Sequence, residues 1–415
     1  MKNWDWDLGE KIVCDLRKWK EKFSLVHDFI VSPDGHKISA PVEIEDKKVT
    51  IAVNENTWEN IFERVCFAQF TEEDSIICLV LQNYEWTLAK DDSLIEQAFD
   101  YAWNLKSVNT GKSIAFNIKK EDSYGVCLNG NIWHNLFFDA RDLLISNDGK
   151  LTASYVRVKN PPLLDIFSFK EGVWTVAVNG DAWEKSFISV YGLSFSPDSK
   201  KVAATVRLSQ QEFTVCVDGN LWNRNFLNAW ETLFINENEI AVPVRTEKGW
   251  SLTINGEIVW PFFNQLWQQK LSADGKIAAV VSTEFGKWTV AVNGNPWSKT
   301  FSQAVISPFF SEDGKKVGAV VKENNLCTVA IDGVPWNNWF DRVWNPQFSA
   351  DGNHCIAKVE KNGNFFVVLD GKPLRENYEK LWEPTFNPDG DKILIRGIRD
   401  GKYIRKVVKL SEVLG

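Results

Sequence analysis

Short apolar stretches alternate with polar turns along the whole chain. A representative unit, residues 189–226, has predicted strands at 190–195, 201–208 and 213–217, and a turn-forming segment follows each. Apolar and polar residues alternate in the second stretch, which is typical of a half-buried strand. The third stretch runs into Asp218-Gly219, and Asp-Gly or Asn-Gly supplies the positive φ angles of a tight hairpin turn. The pattern predicts three to four short antiparallel strands in each unit.

This unit recurs ten times, each copy with an aromatic or bulky aliphatic residue after the hairpin and Phe or Tyr four positions later. The pairs are Trp19/Phe23, Trp58/Phe62, Ile95/Phe99, Trp133/Phe137, Trp183/Phe187, Trp222/Phe226, Val259/Phe263, Trp297/Phe301, Trp336/Phe340 and Leu374/Tyr378. Successive copies lie 37 to 39 residues apart, except for one interval of 50. Repeats of this length and strand content are typical of β-propeller blades. We predict an all-β protein, a β-propeller of about ten blades, in which the Trp residues of these pairs are structural anchors.

The two ends of the chain each hold part of a unit. Residues 10–23 contain an apolar stretch and the first pair, whereas residues 384–410 contain the remaining strands without such a pair. Placing both parts in one blade would remove exposed sheet edges. We therefore expect one domain, residues 1–415, that forms a single ring closed by N- and C-terminal strands. Two smaller propellers are the alternative, because ten blades exceed the usual four to eight.

A second aromatic series occurs in six of the ten units, eight residues before the Gly of the first turn or before its equivalent. Its members are Trp103, Tyr191, Trp230, Trp267, Trp344 and Trp382. These positions fall at the start of the innermost strand of a blade. We expect the side chains to form a ring near one mouth of the central channel.

One insertion, residues 157–172, accounts for the interval of 50. Two consecutive prolines stiffen it, and it presents four apolar side chains. These candidate partner-binding residues are Leu163, Leu164, Ile166 and Phe167. The loop either packs over a blade edge or is offered to a partner protein.

Composition narrows the function classes further. The net charge is −8 and the pI is about 5.3, which argues against nucleic acid, since its phosphates select basic faces. No secretory signal and no apolar run long enough to span a membrane are visible in the sequence. The 7 Cys are scattered singly, which fits a reducing cytoplasm. We expect a cytoplasmic protein, with peripheral contact to the inner face of a membrane possible.

Motifs that carry chemistry are missing from the sequence. It has no phosphate-binding Gly-rich loop, no Gly-x-Ser-x-Gly motif, no Cys-x-x-Cys and no His pair at metal-ligand spacing. The recurrent Asp residues belong to turns, so no pair of catalytic carboxylates is identifiable. We predict a protein that is not an enzyme and has no catalytic, metal or cofactor site.

The last segment is basic, although the chain as a whole is acidic. Its cations are Arg396, Arg399, Lys402, Arg405, Lys406 and Lys409. We interpret their alternation as a solvated outer strand protected against edge pairing. Contact with an acidic partner or an anionic membrane surface is the alternative.

The Trp-rich units, of which residues 174–187 and 288–301 are the clearest, give the chain a family resemblance. With its Ser-Pro-Asp-Gly turns, the chain looks like WD-repeat-like propellers, although the Gly-His and Trp-Asp dipeptides are missing. Over residues 10–410 it resembles the Trp-rich D subunit of the transmembrane tetrahaem cytochrome c complex of sulfate-reducing bacteria. That resemblance implies a cofactor-free subunit on the cytoplasmic side of a membrane redox complex, beside an Fe–S subunit and a membrane cytochrome b.

The sequence as a whole favours a non-catalytic propeller scaffold that docks a partner within such an electron-transfer complex. A lectin-like propeller that binds a ligand or glycan is one alternative, and it would repeat one pocket in every blade. A propeller hydrolase is the other, and it requires an unrepeated cluster of carboxylates.

Overall fold

The computed structural model describes residues 4–108, 111–160, 170 and 172–414, and they form ten antiparallel sheets of four or five strands. The chain is all-β, and its sheets are the ten blades of a β-propeller fold, as the repeat predicts. We number the blades 1 to 10 along the chain, beginning with the sheet that starts at Leu25. Within each blade the strands are numbered in the order in which they pair.

The first strands of blades 1 to 10 are Leu25–Val26 with Ile30–Val31, Arg64–Phe70, Tyr101–Val108, Asp139–Ile145, Ser189–Phe195, Asn228–Ala229 with Leu233–Phe234, Gln265–Leu271, Ala304–Phe310, Arg342–Phe348, and Lys380–Leu381 with Thr385–Phe386. The second strands are Ile38–Glu43, Ile76–Gln82, Ser113–Lys120, Thr152–Arg157, Val202–Arg207, Ile240–Thr246, Ile277–Glu284, Val317–Glu323, Cys355–Lys361 and Lys392–Arg399. The third strands are Val49–Val53, Glu85–Lys90, Ser123–Leu128, Trp174–Val178, Phe213–Val217, Gly249–Ile254, Lys287–Val292, Leu326–Ile331, Asn364–Leu369 and Lys402–Lys409.

The fourth strands are Asn56–Thr57, Ser93–Leu94, Asn131–Ile132, Asp181–Ala182, Asn220–Leu221, Glu257–Ile258, Asn295–Pro296, Val334–Pro335, Lys372–Tyr378 and, in blade 10, Gly9–Asp15. Two α-helices, Arg17–Lys22 and Leu410–Leu414, and a short 3₁₀ helix, Glu45–Lys47, complete the secondary structure that is described.

Chain contacts group the residues into two compact units. One consists of residues 23–33 and 39–259 and holds blades 1 to 6, whereas the other consists of residues 1–22, 34–38 and 260–415 and holds blades 7 to 10. The prediction of a single domain stays a prediction.

The hydrophobic core of each compact unit lies between neighbouring blades. Second strands are buried along nearly their whole length, as in Ile76–Gln82, because apolar side chains on both faces of the sheet are covered. Between blades 3 and 4, for example, Val126 and Trp133 pack in one cluster with Ala140 and Leu143. A blade therefore gains most of its stability from the blades on either side.

The first residue of each turn between third and fourth strands stabilises that turn. Asn293 adopts a φ of 46°, and its Oδ1 accepts a hydrogen bond of 2.9 Å from the backbone N–H of Ile277, at the start of the second strand. Asp332 does the same for Val317 in blade 8. Two properties therefore favour Asn and Asp at this position. They tolerate the left-handed conformation, and their side chains accept a hydrogen bond from a backbone N–H.

The Gly of the same turn makes room for the anchor Trp of the preceding blade. A Cβ atom on Gly371 would lie 2.8 Å from Cγ of Trp336, and one on Gly333 would lie 3.2 Å from Cβ of Trp297. Of the other predicted anchors, Trp19 and Trp133 are buried, and Trp58, Trp183 and Trp222 are half-buried.

Most first strands contain an irregularity that the sequence does not predict. Seven of the ten have a β-bulge, as between Cys66 and Gln69 or between Trp267 and Lys270. The residue at the bulge has a positive φ, which is 56° for Phe67. A bulge bends the strand and redirects the side chains that follow it.

Blade 10 joins the two ends of the chain, as predicted. Gly9–Asp15 pairs antiparallel with Lys402–Lys409, which pairs in turn with Lys392–Arg399. The Trp19 copy of the repeat differs from the others, because its Trp lies in the helix Arg17–Lys22, which follows the outer strand Gly9–Asp15.

Candidate interaction surface

The turn between the second and third strands lies at the same end of a blade as the start of the first strand. In blade 2, for example, Arg64 pairs with Leu81, and Leu81 pairs with Trp86. We call this end of a blade its hairpin end. The Asn-Gly and Asp-Gly turns between third and fourth strands lie at the opposite end. Loops at such fixed positions on a rigid sheet commonly carry binding residues.

The insertion of residues 157–172 emerges at the hairpin end of blade 4, since it connects Thr152–Arg157 with Trp174–Val178. Its base is fixed by a hydrogen bond of 2.9 Å from the N–H of Val158 to the carbonyl of Val173. The four candidate partner-binding residues lie outside the described residues, so their role stays a prediction. They are Leu163, Leu164, Ile166 and Phe167.

Exposed apolar side chains lie at the hairpin ends of blades 2, 3, 4 and 6, all within one compact unit. Tyr84, in the turn of blade 2, is 87% exposed, and Tyr101, the first residue of blade 3, is 49% exposed. The Tyr101 ring meets the edge of Trp86 with 5.5 Å between ring centroids, which holds it in place. Phe138 and Leu227 are exposed just before the first strands of blades 4 and 6.

The compact unit with blades 7 to 10 also has exposed apolar side chains at hairpin ends. Phe285, in the turn between the second and third strands of blade 7, is fully exposed, and Phe262 and Leu326 are partly exposed at hairpin ends. Sequence reasoning missed Tyr84 and Phe285. The available signal was an aromatic residue inside a predicted turn, where apolar side chains have no packing role.

The second aromatic series is found on first strands next to the bulge, except that Trp230 and Trp382 lie between the two short pieces of the first strand in blades 6 and 10. Each ring contacts an aromatic side chain of the third strand in its own blade: Trp230 is stacked on Trp250, with centroids 5.4 Å apart, and Trp267 lies 4.8 Å from Trp288. The remaining contacts are Trp103 with Tyr124, Tyr191 with Phe213, Trp344 with Phe365, and Trp382 with Tyr403. A ring of these residues at a channel mouth stays a prediction.

Several cysteines and turn carboxylates have structural roles. Among the described residues no group of three or more His, Cys, Asp or Glu could hold a metal ion. Burial raises the pKa of the Cys127 and Cys216 thiols to about 12, so both are protonated at neutral pH. In the turn of blade 9 the Ser349 hydroxyl donates to Asp351, which lowers the pKa of that carboxyl to about 2.

The basic C-terminal segment forms the second and third strands of blade 10. The interpretation of this segment as a solvated outer strand is therefore wrong. Gly9–Asp15 takes the outer edge, so the cations lie on the second and third strands. Arg399 binds Glu10 at 2.6 Å and Glu376 at 3.1 Å, and Lys406 pairs with the same two carboxylates. Arg405 is buried and donates a hydrogen bond of 2.9 Å to the carbonyl of Asp34.

Comparison with known proteins identifies no relative. No protein family and no curated protein sequence matches the chain. Among solved structures it is similar to a Dos1 propeller, at 10% identity and a TM-score of 0.37, over 96% of this chain and 94% of the other. It is also similar to prolyl endopeptidases (13%, TM-score 0.39, 73% and 54%) and to TolB from Acinetobacter baumannii (15%, TM-score 0.30, 75% and 79%).

Across the described residues, none of the helices combines the length and apolar character that a membrane crossing requires.

Proposed function

We propose that this protein is a non-catalytic interaction subunit that binds a partner protein through the hairpin ends of its blades. The observation that carries the proposal is the set of exposed aromatic side chains at these ends, above all Tyr84 and Phe285. The insertion that holds Leu163, Leu164, Ile166 and Phe167 connects the second and third strands of blade 4, Thr152–Arg157 and Trp174–Val178. Aromatic residues are enriched in protein interfaces, where a few of them usually dominate the binding energy.

The partner that we propose is a subunit of a membrane-associated electron-transfer complex, on the cytoplasmic side. Support comes from the Trp-rich repeat, whose style resembles the D subunit of the tetrahaem cytochrome c complex. In such a complex the protein would contact Fe–S and cytochrome subunits and contribute no cofactor of its own. The cysteines are consistent with this role, since six of the seven are buried and none lies in a Cys-x-x-Cys motif.

The proposal of a non-catalytic role rests on the state of the carboxylates. Asp148, Asp198 and Asp274 all accept hydrogen bonds from a Ser hydroxyl in their turns, and their pKa values are lowered. A general acid requires the opposite, a pKa raised towards the working pH. These acids hold turns together in blade after blade.

The test is affinity purification from native membranes, followed by identification of the proteins and cofactors that are recovered. We expect haem-containing and Fe–S subunits with the unmodified protein. Replacing Leu163, Leu164 and Phe167 by Ser, or replacing Tyr84 and Phe285 by Ser, should reduce their recovery without lowering thermal stability.

A matched control is Val334→Ser, which removes a side chain that is 69% exposed at the opposite end of blade 8. This variant should recover the partner as well as the unmodified protein does. Equal losses in the control and the test variants would contradict a specific hairpin-end surface. Purification of the protein alone with a bound sugar would favour the lectin-like alternative, and unfolding of the loop variant would show that the insertion is part of the core.

A further inference from the structure

A cavity of about 710 Å³ lies along the first strands of blades 7, 8 and 9, within one compact unit. Its volume falls in the range of sites that hold small molecules. The lining is mostly apolar, with Ile306 and Phe309 from blade 8 and Trp344 from blade 9. Two charged side chains also line it, Lys270 from blade 7 and Glu312 from the first turn of blade 8.

The cavity occurs where blade 8 departs from the repeat. Ile306 occupies the position of the second aromatic series, and it is 44% exposed, where neighbouring blades have Trp267 and Trp344. Isoleucine is smaller than tryptophan and leaves space there. Beside it the Phe309 ring lies over Gly318, where a Cβ atom would come within 2.2 Å of the ring, and 5.2 Å from the Phe348 ring. Blade 8 thus provides an apolar floor that is open to small molecules.

Comparison with the other blades shows that Lys270 lacks a hydrogen bond to the described residues of the next blade. Three residues after the aromatic position, the side chain usually bonds to the next blade: Gln69 Nε2 donates to the Leu105 carbonyl at 3.2 Å, and Lys106 Nζ donates to the Leu143 carbonyl at 2.5 Å. Gln347 Nε2 likewise donates to the carbonyl of Pro384.

Lys106 is the closest comparison, because the Asp142 carboxylate lies 3.7 Å from its ammonium group. In blade 8 the residue equivalent to Asp142 is Ser307, which carries no charge. No described residue forms a hydrogen bond or an ion pair with the Lys270 ammonium group. An ammonium group beside an apolar cavity attracts an anion, and a charge-assisted hydrogen bond to a carboxylate is among the stronger ones.

We propose that this cavity binds a small molecule with a planar or aliphatic apolar body and a single carboxylate. The apolar body packs on Ile306, Phe309 and Trp344, and the carboxylate pairs with Lys270. Both Lys270 and Glu312 are exposed, so Glu312 disfavours ligands with a second negative charge only modestly, because water and salt screen the repulsion between like charges. This site is separate from the hairpin-end surface, so it goes beyond the interaction role proposed above.

Binding is tested by isothermal titration calorimetry with three carboxylates, indole-3-acetate, phenylacetate and hexanoate. The matching amines, tryptamine, phenethylamine and hexylamine, keep the apolar body and reverse the charge. We expect saturable binding of at least one carboxylate and much weaker binding of its amine. Lys270→Gln should weaken carboxylate binding by about 2- to 5-fold, because Lys270 is exposed and an exposed ion pair contributes little.

Two further variants separate the cavity from general effects. Ile306→Trp restores the residue of the neighbouring blades and should abolish binding. Lys106→Gln removes the equivalent lysine of blade 3 and should leave binding unchanged. If Ile306→Trp lowers the melting temperature, the Lys270→Gln result decides alone. Failure of all three carboxylates to bind, equal binding of acids and amines, or unchanged affinity of Lys270→Gln would overturn the proposal.

Discussion

The contact between a turn glycine and the anchor Trp of the preceding blade can be tested with two glycines of blade 9. Gly371 and Gly363 have nearly equal φ angles, +79° and +76°. A Cβ atom at Gly363 would meet nothing within 4 Å, whereas one at Gly371 would lie 2.8 Å and 2.9 Å from Cγ and Cβ of Trp336. Alanine at Gly363 therefore reports backbone strain alone, and alanine at Gly371 reports strain plus the collision with the indole.

The magnitudes follow from these two effects. A left-handed conformation costs an alanine about 1–2 kcal/mol, and forcing a methyl group into a packed site costs about 1–3 kcal/mol more. We expect Gly363→Ala to lower the free energy of unfolding by about 1–2 kcal/mol and Gly371→Ala by about 2–5 kcal/mol. Urea denaturation followed by circular dichroism measures both.

A double-mutant cycle identifies the atoms responsible. Trp336→Ala alone should cost about 3–5 kcal/mol, because Trp336 is buried. In that background Gly371→Ala should cost no more than Gly363→Ala does, since the collision is gone. Equal costs for the two glycines in the unmodified protein would refute the argument that this glycine is required by inter-blade packing.

Three further predictions concern a turn, a carboxyl and the thiols. Asn293→Ala should cost about 1–3 kcal/mol in urea denaturation, since it leaves the N–H of Ile277 unsatisfied, whereas Asn293→Asp should be nearly neutral. Because folding lowers the pKa of Asp351 to about 2, its stabilising contribution is present above pH 4 and is lost as the pH falls towards 2. Asp351→Asn should therefore show a smaller loss of stability over this window, and an identical pH profile would contradict the assignment. With Ellman's reagent under native conditions, partly exposed Cys66 should react before buried Cys127, and the reverse order would contradict the described burial.

Much of the fold could be predicted from the sequence, because the information lies in local turn chemistry. Asn-Gly and Asp-Gly turns fix the hairpins, and their spacing fixes the number of blades. The helix that contains Trp19 was missed, since a spacing of four residues from Trp19 to Phe23 suits a helical turn as well as a strand face. The fourth strand of blade 9, Lys372–Tyr378, is also longer than the two-residue fourth strands of blades 1 to 8, although its repeat resembles the others in sequence.

The candidate sites were less accessible to sequence reasoning. Bulge positions are occupied by residues as different as Phe67 and Gln268, both with a positive φ, so no residue type marks them. The cavity depends on an absence that only the aligned blades make visible, namely Ile306 in place of an indole. The exposure of Phe285 likewise depends on where its turn falls in three dimensions.

The pairing of Gly9–Asp15 with Lys402–Lys409 has a consequence for biosynthesis. Arg399 and Glu10, which form an ion pair there, are 389 residues apart in the chain. At translation speeds of about 5–20 residues per second, the first strand leaves the ribosome roughly 20–80 s before its partner. Throughout that interval Gly9–Asp15 lacks its partner strand, and an unpaired strand edge is open to pairing with other chains.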